Sequence, residues 1–275
     1  RHLENNANQV ALIYEANNPE EETRKFTYQE LHSEVCKFSN VLKSQGVKKG
    51  DRVCFYMGMV PELLIGVLAT ARIGAIHSVV FGGFSAQALA GRIQDCNASI
   101  LITNDGSLRG NKIIPLKEIA DKAVKSCPSI KNVLVHQRAN NSINMNKDRD
   151  QWLTPLLEKA SNQCESETMN SEDPLFILYT SGSTGSPKGQ LHSTAGYMVY
   201  AQHTFQNVFQ VEKDDIYWCT ADIGWITGHT YITYAPLLSG STTVMFEGVP
   251  TWPDAGRFWS IVEKLKITHL YTAPT

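Results

Sequence analysis

The chain has 275 residues, 25 basic and 27 acidic side chains, and a formal net charge of −2. With 42% hydrophobic residues, the composition is typical of a globular protein and excludes a largely disordered chain. The near-zero charge gives no electrostatic reason to expect a nucleic acid or a membrane surface as a partner.

Short β-rich segments alternate with helical segments along the first part of the chain. Thr27 and Glu30 form a capping-box pattern that predicts the start of a helix ending near Ser44. Pro61 and Ser85 are typical of further helix starts. The pattern predicts strands at 10–14, 53–56, 76–81, 100–103 and 132–135, and helices at 27–44, 61–73, 85–96, 116–125 and 151–160.

The same alternation continues after a polar segment at 162–173. It predicts strands at 175–179, 215–219, 242–246 and 267–271, and helices at 194–206, after Trp225 and at 256–266. Such alternation predicts an α/β fold with parallel sheets covered by helices. We expect two parallel-sheet subdomains with flanking helices, at 1–165 and 166–275.

The six cysteines are far apart and include no C-x-x-C pair, which argues against a zinc site. We therefore expect reduced, buried thiols in a cytoplasmic protein and no metal-ligating cluster. The most apolar segment, 63–84, is interrupted by Arg72, His77 and glycines, and this is unlike a membrane span. The start at Arg1 and the end just after a strand-like segment predict a piece of a longer protein.

The strongest chemical signal is the segment Tyr179–Gly189, Y-T-S-G-S-T-G-S-P-K-G. It follows a predicted strand and precedes the helix predicted at 194–206. Glycines allow backbone N–H groups to approach an anion, hydroxyl groups can donate to phosphate oxygens, and Lys188 adds positive charge. The segment does not have the G-x-x-x-x-G-K-[ST] pattern of a Walker A loop.

This segment resembles the signature of the adenylate-forming enzymes. Four further segments, in collinear order over the whole chain, are similar to the AMP-forming acetyl-CoA synthetases, or acetate–CoA ligases. They are F-G-G-F-S at 81–85, D-G-S-L-R-G-N-K at 105–112, T-A-D-I-G-W-I-T-G-H-T-Y at 220–231 and F-E-G-V-P-T-W-P-D-A-G-R-F-W at 246–259. The resemblance implies part of the family's large N-terminal domain, with a ligand cleft at the carboxyl ends of the strands.

The resemblance also implies a two-step reaction that uses ATP, Mg²⁺ and CoA. Acetate attacks the α-phosphorus of ATP to give acetyl-AMP and pyrophosphate, and the CoA thiol then displaces AMP. The glycine-rich segment would bind the phosphates of ATP, with Lys188 as the catalytic side chain. The phosphate-binding residues implied are Thr180, Ser181, Gly182, Ser183, Thr184 and Gly185.

The family's CoA contacts map to two loops and to the W-I-T-G-H segment. The CoA-binding residues implied are Gly83, Arg109, Gly110, Asn111, Lys112 and Thr227. Arg109 would pair with the 3′-phosphate end of CoA, and Lys112 stands where the family often has a second Arg, without the bidentate fork. Ile226 and Thr227 would form the wall of the acyl pocket.

Several residues near these motifs receive no catalytic role. Trp225 and His229 could equally be structural, the first as a core side chain and the second through a backbone partner. Asp222 and Glu247 have no assigned chemistry. Gln190 stands where the family often has an aliphatic residue, and we expect little functional change from it.

The sequence leaves two alternatives open. One is a propionyl-CoA or other short-chain acyl-CoA synthetase, because the residue that closes the acyl pocket in the family lies beyond Thr275. The other is a truncated, non-catalytic nucleotide- or CoA-binding module. We expect the 275-residue chain alone to be inactive, and acetate-dependent pyrophosphate exchange by it would contradict this. The expected partners are small molecules only, and the sequence does not predict an oligomeric state.

Overall fold

The computed structural model describes residues 2–180 and 187–273. The strands are β1 Val10–Glu15, β2 Arg24–Thr27, β3 Arg52–Tyr56, β4 Ile76–Val79, β5 Ile100–Asn104, β6 Ser107–Arg109, β7 Lys112–Ile114, β8 Asn132–His136, β9 Asp150–Trp152, β10 Pro174–Thr180, β11 Lys188–Ser193, β12 Ile216–Cys219, β13 Thr242–Phe246 and β14 His269–Tyr271. Capping residues begin two of the helices as the sequence predicts. The Thr27 hydroxyl accepts the Glu30 N–H, and the Ser85 hydroxyl accepts the Ala88 N–H.

Helices cover the sheets and connect most of the parallel strands. They are α1 Tyr28–Ser44, α2 Pro61–Arg72, α3 Ala86–Cys96, α4 Leu116–Val124, α5 Leu153–Lys159, α6 Thr194–Phe209, α7 Ile226–Gly228, α8 Ala235–Ser239 and α9 Arg257–Leu265. A π-helical segment, His229–Tyr234, lies between α7 and α8. No helix within residues 2–180 and 187–273 is long and apolar enough to cross a membrane.

Two largely parallel sheets form the framework, which confirms the α/β class. The larger sheet has the order β11-β10-β4-β3-β5-β8-β9, and the smaller has the order β14-β12-β13-β1-β2. Each sheet has one antiparallel edge pair, β10 with β11 and β1 with β2. A separate hairpin, β6–β7, follows β5.

The composition of the sheets differs from the expected division into 1–165 and 166–275. The smaller sheet joins β1 and β2 from the start of the chain to β13, and the larger sheet joins β10 and β11 to β4. Each sheet therefore crosses the expected boundary. The polar segment at 162–173 is a connection within the larger sheet and does not separate the two sheets along the chain.

Apolar side chains cover both faces of each sheet, as expected for buried parallel strands. Along β1, Leu12 faces the cluster shared by the two sheets, whereas Ile13 faces a cluster formed with α9. Along β3, Phe55 belongs to the shared cluster and Cys54 packs toward α3 and α4. The alternation of neighbouring side chains thus places the main core between the sheets.

Candidate functional site

A cavity of about 260 Å³ lies where strands of both sheets end. Its walls come from the segments that follow the carboxyl ends of β3, β4, β12 and β13, and from hairpin β6–β7 after β5. This is the edge at which open α/β sheets bind ligands, and it is where the sequence predicts the cleft. Gly83 and Arg109 line the cavity, so two of the predicted CoA-binding residues are brought together.

Arg109 is an exposed side chain at the mouth of this cleft, at the end of β6. Its guanidinium carbon lies 5.8 Å from the centre of the Phe81 ring, a cation–π arrangement. A side chain at Gly83 would collide with the same Phe81 ring. Glycine at this position therefore allows Phe81 to lie beneath Arg109.

The turn that follows Arg109 is hydrogen-bonded to Asn17, which lies just after β1 of the smaller sheet. Gly110 is buried with φ of +61°, in the left-handed region that favours glycine. The Asn17 side chain, just beyond β1, accepts the Gly110 N–H at 2.8 Å and donates to the Gly110 carbonyl at 2.9 Å. Asn111 and Lys112 are exposed on the same hairpin, with Lys112 directly opposite Arg109.

The base of the hairpin is fixed by a buried carboxylate. Asp105 accepts hydrogen bonds from the backbone N–H groups of Gly106, Arg138, Ala139 and Asn140 at 2.7–2.9 Å. Burying a polar group is costly unless it is hydrogen-bonded, and these four donors meet that requirement. The hairpin that carries Arg109 is thus anchored at its base and at its turn.

Two acidic residues in the cleft were given no role from the sequence. Glu247 lies at the end of β13, where Arg138 donates to both carboxylate oxygens at 2.9 and 2.6 Å and Tyr14 donates at 2.9 Å. Asp222 is half-buried and accepts the Gly224 N–H. Burial raises the pKa of the Asp222 carboxyl to about 6, an effect that the Gly224 N–H and the Arg109 charge partly oppose.

The predicted phosphate segment extends from β10 into β11, and helix α6 follows it as the sequence predicts. A strand, β11, precedes α6 and pairs antiparallel with β10, so that Thr180 and Lys188 lie opposite each other. Both side chains are exposed. Ser181, Gly182, Ser183, Thr184 and Gly185 fall outside the described residues. The sequence does not predict β11 as a strand, because its exposed residues Lys188–Leu191 lack the apolar alternation of a half-buried strand.

The strand that leads into this segment is held against α3. Tyr179 donates its hydroxyl to the Asp95 carboxylate at 2.7 Å. The Arg92 guanidinium lies over the rings of Tyr179 and Phe84, with its central carbon 5.5 and 4.6 Å from the ring centres. A groove of about 930 Å³ along α3 is bordered by Tyr179 and Pro187, next to the predicted phosphate site.

Ile226 and Thr227 do not line the same cavity. Ile226 borders a pocket of about 360 Å³ together with His192 and Tyr200. Thr227 borders a more apolar pocket of about 550 Å³ together with Tyr271. The second pocket shares three wall residues with the Arg109 cleft: Thr220, Ala221 and Trp225.

Trp225 and His229 turn out to differ from each other. Trp225 is 47% exposed and lies in the cleft, where its ring contacts Phe81 and Phe84 at centroid distances of 5.9 and 6.0 Å. It is therefore not a core side chain. His229 is fully buried, and its Nδ1 is hydrogen-bonded to the Ile223 carbonyl. His229 is therefore a buried side chain with a backbone hydrogen-bond partner, as the structural interpretation of this residue predicts.

No group of three or more His, Cys, Asp or Glu side chains in 2–180 and 187–273 has the geometry to hold a metal ion. The six cysteines are free, and five of them are buried. Burial raises the pKa of the Cys54 and Cys219 thiols, so these cysteines behave as small apolar side chains.

The chain matches known proteins along its whole length. A family model described as AMP-binding enzyme matches residues 1–275. An acetyl-coenzyme A synthetase from Parvibaculum lavamentivorans is 58% identical over 275 residues, and one from Gamma-proteobacterium EBAC31A08 is 56% identical. All of this chain is covered, but it spans only 42% and 43% of those relatives. Because the family match covers all 275 residues, the chain belongs to the AMP-binding enzyme family.

Proposed function

We propose that the full-length protein containing this chain is an AMP-forming acetate–CoA ligase. The observation that carries the proposal is the similarity, at 52–58% identity over the whole chain, to proteins named acetyl-coenzyme A synthetase. The cleft at the carboxyl edges of both sheets also supports it, because it joins the two motifs that the resemblance assigns to CoA.

In the first step, acetate would attack the α-phosphorus of ATP and release pyrophosphate. Thr180 and Lys188 lie opposite each other at the ends of β10 and β11, and flank the segment proposed to bind the phosphates. The Lys188 ammonium would stabilise negative charge that develops on the leaving pyrophosphate. Electrostatic stabilisation of developing charge is commonly the largest single contribution to catalysis.

In the second step, the CoA thiol would attack the acyl carbon of acetyl-AMP, and AMP would leave. Arg109 is proposed to bind a phosphate of CoA, since a planar guanidinium can pair with phosphate oxygens through two N–H groups. Gly83, Gly110, Asn111, Lys112 and Thr227 are proposed to complete the CoA site. The shared wall of the two pockets would let the pantetheine chain run from Arg109 toward Thr227.

The acyl pocket is proposed to involve Ile226 and Thr227, which are neighbours in the chain and border two separate pockets. Mg²⁺ is proposed to enter as the ATP complex, held by the nucleotide phosphates, because the described acidic and imidazole groups offer no site for a resident metal ion. The free, mostly buried cysteines suit the reducing cytoplasm.

The decisive experiment is a product analysis of the purified full-length protein with ATP, Mg²⁺, CoA and one carboxylic acid at a time. We expect acetyl-CoA, AMP and pyrophosphate in equal amounts. We also expect acetate-dependent exchange of labelled pyrophosphate into ATP when CoA is omitted, because the acyl-adenylate forms first. Formation of ADP instead of AMP would contradict the mechanism.

The same assay with propionate and butyrate tests the acid. We expect kcat/KM for acetate to exceed kcat/KM for propionate by at least tenfold, because one methylene group typically contributes about 1–3 kcal/mol of discrimination. A preference for propionate would replace the acetate assignment with the propionyl-CoA alternative. ATP or CoA binding with no product from any short acid would favour the non-catalytic module.

A further inference from the structure

Three polar aromatic side chains form a continuous hydrogen-bonded row in the core between the sheets. His77 is on β4, and His229 and Tyr234 begin and end the π-helical segment. All three are at most 3% exposed. The Tyr234 hydroxyl lies 2.7 Å from His77 Nε2, and His77 Nδ1 lies 3.4 Å from His229 Nε2. His229 Nδ1 reaches the Ile223 carbonyl.

Only one assignment of protons to neutral side chains satisfies every bond in this row. The Ile223 carbonyl can only accept, so His229 Nδ1 carries a proton and His229 Nε2 is an acceptor. His77 Nδ1 must then donate to His229, and His77 Nε2 must accept from the Tyr234 hydroxyl. Burial lowers the pKa of His77 well below its usual value and that of His229 to about 4, so both rings are neutral near pH 7.

The row ends on a backbone turn that forms part of the cleft wall. Ile223 lies between Asp222 and Trp225, whose backbone closes the turn through the Trp225 N–H and the Asp222 carbonyl at 3.1 Å. The Ile223 N–H donates to the Met59 sulfur at 3.4 Å. The N–H and the carbonyl of Ile223 are therefore both bonded to side chains, those of Met59 and His229.

The helix beneath the turn approaches it unusually closely. A Cβ atom at Gly228 would overlap the Asp222 carbonyl, so glycine is required where α7 passes under the turn. The helix then widens to its π-helical form at His229. Such segments occur frequently at functional sites, where the extra residue redirects a side chain. Here the change of geometry accompanies the bond from His229 to Ile223.

A buried polar row of this kind is not needed for stability, since apolar residues of similar volume can fill a core equally well. Within the described residues, the His229 imidazole is hydrogen-bonded to one backbone group, the Ile223 carbonyl. Ile223 belongs to the turn that carries Asp222 and Trp225 into the cleft. We propose that His229 is a positioning residue: it fixes the Asp222–Trp225 turn through the Ile223 carbonyl, and the hydrogen bonds of His77 and Tyr234 favour the same His229 tautomer. The inference rests on the proposed CoA function of the cleft.

Two amide variants of the full-length protein separate positioning from bulk packing. In His229→Asn the amide nitrogen takes the place of Nδ1 and can still donate to the Ile223 carbonyl. In His229→Gln the amide lies near the former Nε2 and loses that bond. We expect His229→Gln to raise KM for CoA at least tenfold and His229→Asn to raise it less than threefold, with similar melting temperatures for the two variants.

A third variant, Arg109→Ala, distinguishes failure of the His229 inference from failure of the proposed CoA function. A KM for CoA that is unchanged in Arg109→Ala would show that the cleft is not the CoA site. If Arg109→Ala raises KM for CoA but the two His229 variants behave alike, the positioning role is overturned. Equally impaired folding of both variants would leave the third measurement to decide.

That measurement needs no variant at the site. Selective ¹⁵N labelling of histidine in the full-length protein reports which ring nitrogen carries the proton. We expect neutral His229 and His77 rings at pH 7, each protonated at Nδ1, because this is the assignment that satisfies every bond in the row. A His229 that is cationic or protonated at Nε2 in the unmodified protein would overturn the inference.

Discussion

The two hairpins that carry the predicted anion-binding residues differ in how they are attached. Hairpin β6–β7, with Arg109, is fixed at its base by the buried Asp105 carboxylate and at its turn by Asn17, which follows β1 of the smaller sheet. Hairpin β10–β11, with Lys188, is held by the Tyr179–Asp95 hydrogen bond near the end of β10, whereas Lys188–Leu191 are exposed along the edge of the larger sheet.

The difference indicates how each hairpin would contribute to the proposed reaction. A side chain on an anchored turn is preorganised, so its contribution depends on residues far from the ligand. A side chain on an exposed edge strand acts mainly through its own charge, because few neighbours restrict it. We therefore expect substitutions in hairpin β10–β11 to affect the adenylation step, mainly at Lys188 itself. Substitutions in hairpin β6–β7 should affect CoA binding, and should do so both at Arg109 and at the residues that anchor the hairpin.

The largest effect is expected for Lys188→Ala in the full-length protein. Loss of the ammonium group should slow acetate-dependent pyrophosphate exchange by about 100-fold or more, since removing one group that stabilises the developing charge commonly costs about 10²–10³ in rate. Thioester formation from supplied acetyl-AMP should slow by less than tenfold. Lys131→Ala, which removes an exposed lysine elsewhere, is the control and should change neither rate. Equal losses in both half-reactions would argue against a role in adenylation.

Asp105→Ala should break the anchor of hairpin β6–β7. Four backbone N–H groups would lose a buried acceptor, and we expect a loss of about 3 kcal/mol in the free energy of unfolding. Urea denaturation followed by circular dichroism measures it. Asp148→Ala, at an exposed site, is the matched control and should stay within about 0.5 kcal/mol of the unmodified protein. Similar curves for both variants would show that Asp105 is no anchor.

Arg109→Ala tests the charge that this anchor would position. We expect KM for CoA to rise at least tenfold, because a charge-assisted hydrogen bond contributes about 1.5–3 kcal/mol. Pyrophosphate exchange should be unchanged. Lys112→Ala is the companion variant on the opposite strand and should raise KM for CoA about threefold, since lysine lacks the bidentate fork. An exchange defect as large as the CoA defect would contradict the assignment.

The smallest effect is expected at Gln190, an exposed residue of edge strand β11 that pairs with Leu178. Gln190→Leu should change pyrophosphate exchange by less than about twofold, because exposed substitutions away from special features are nearly neutral. Gln190→Asn is the polar control in the same assay. A fivefold loss in the leucine variant alone would show that β11 contributes through more than the Lys188 charge.

Local patterns predict the helices and most strands because their signals lie within a few residues. The capping box at Thr27 is an example, and its two reciprocal bonds are present in the structure. Strand β11 is not predicted because its side chains are exposed and polar, so it lacks the apolar alternation of a half-buried strand. The short strands of hairpin β6–β7 give no periodic signal at all.

The parts of the site that the sequence does not predict depend on contacts between distant residues. Asn17 and Gly110 are separated by 93 positions, and Arg138 and Glu247 by 109. No spacing rule connects such pairs, and a single sequence holds no record of their proximity. Gly83 and Arg109 could be proposed together only through the family resemblance, and the structure brings them to one cavity.

The place of β1 in the smaller sheet has a consequence for how the protein is made. Leu12 pairs with Thr243, so β1 cannot pair with β13 until a residue 231 positions later in the chain has been synthesised. At the usual ribosomal rate of about 5–20 residues per second, this delay is about 10–50 s. During that time the apolar side chains of β1 have only hairpin strand β2 as a neighbour in the sheet. The nascent chain would therefore be a natural client for chaperones that shield apolar segments during synthesis.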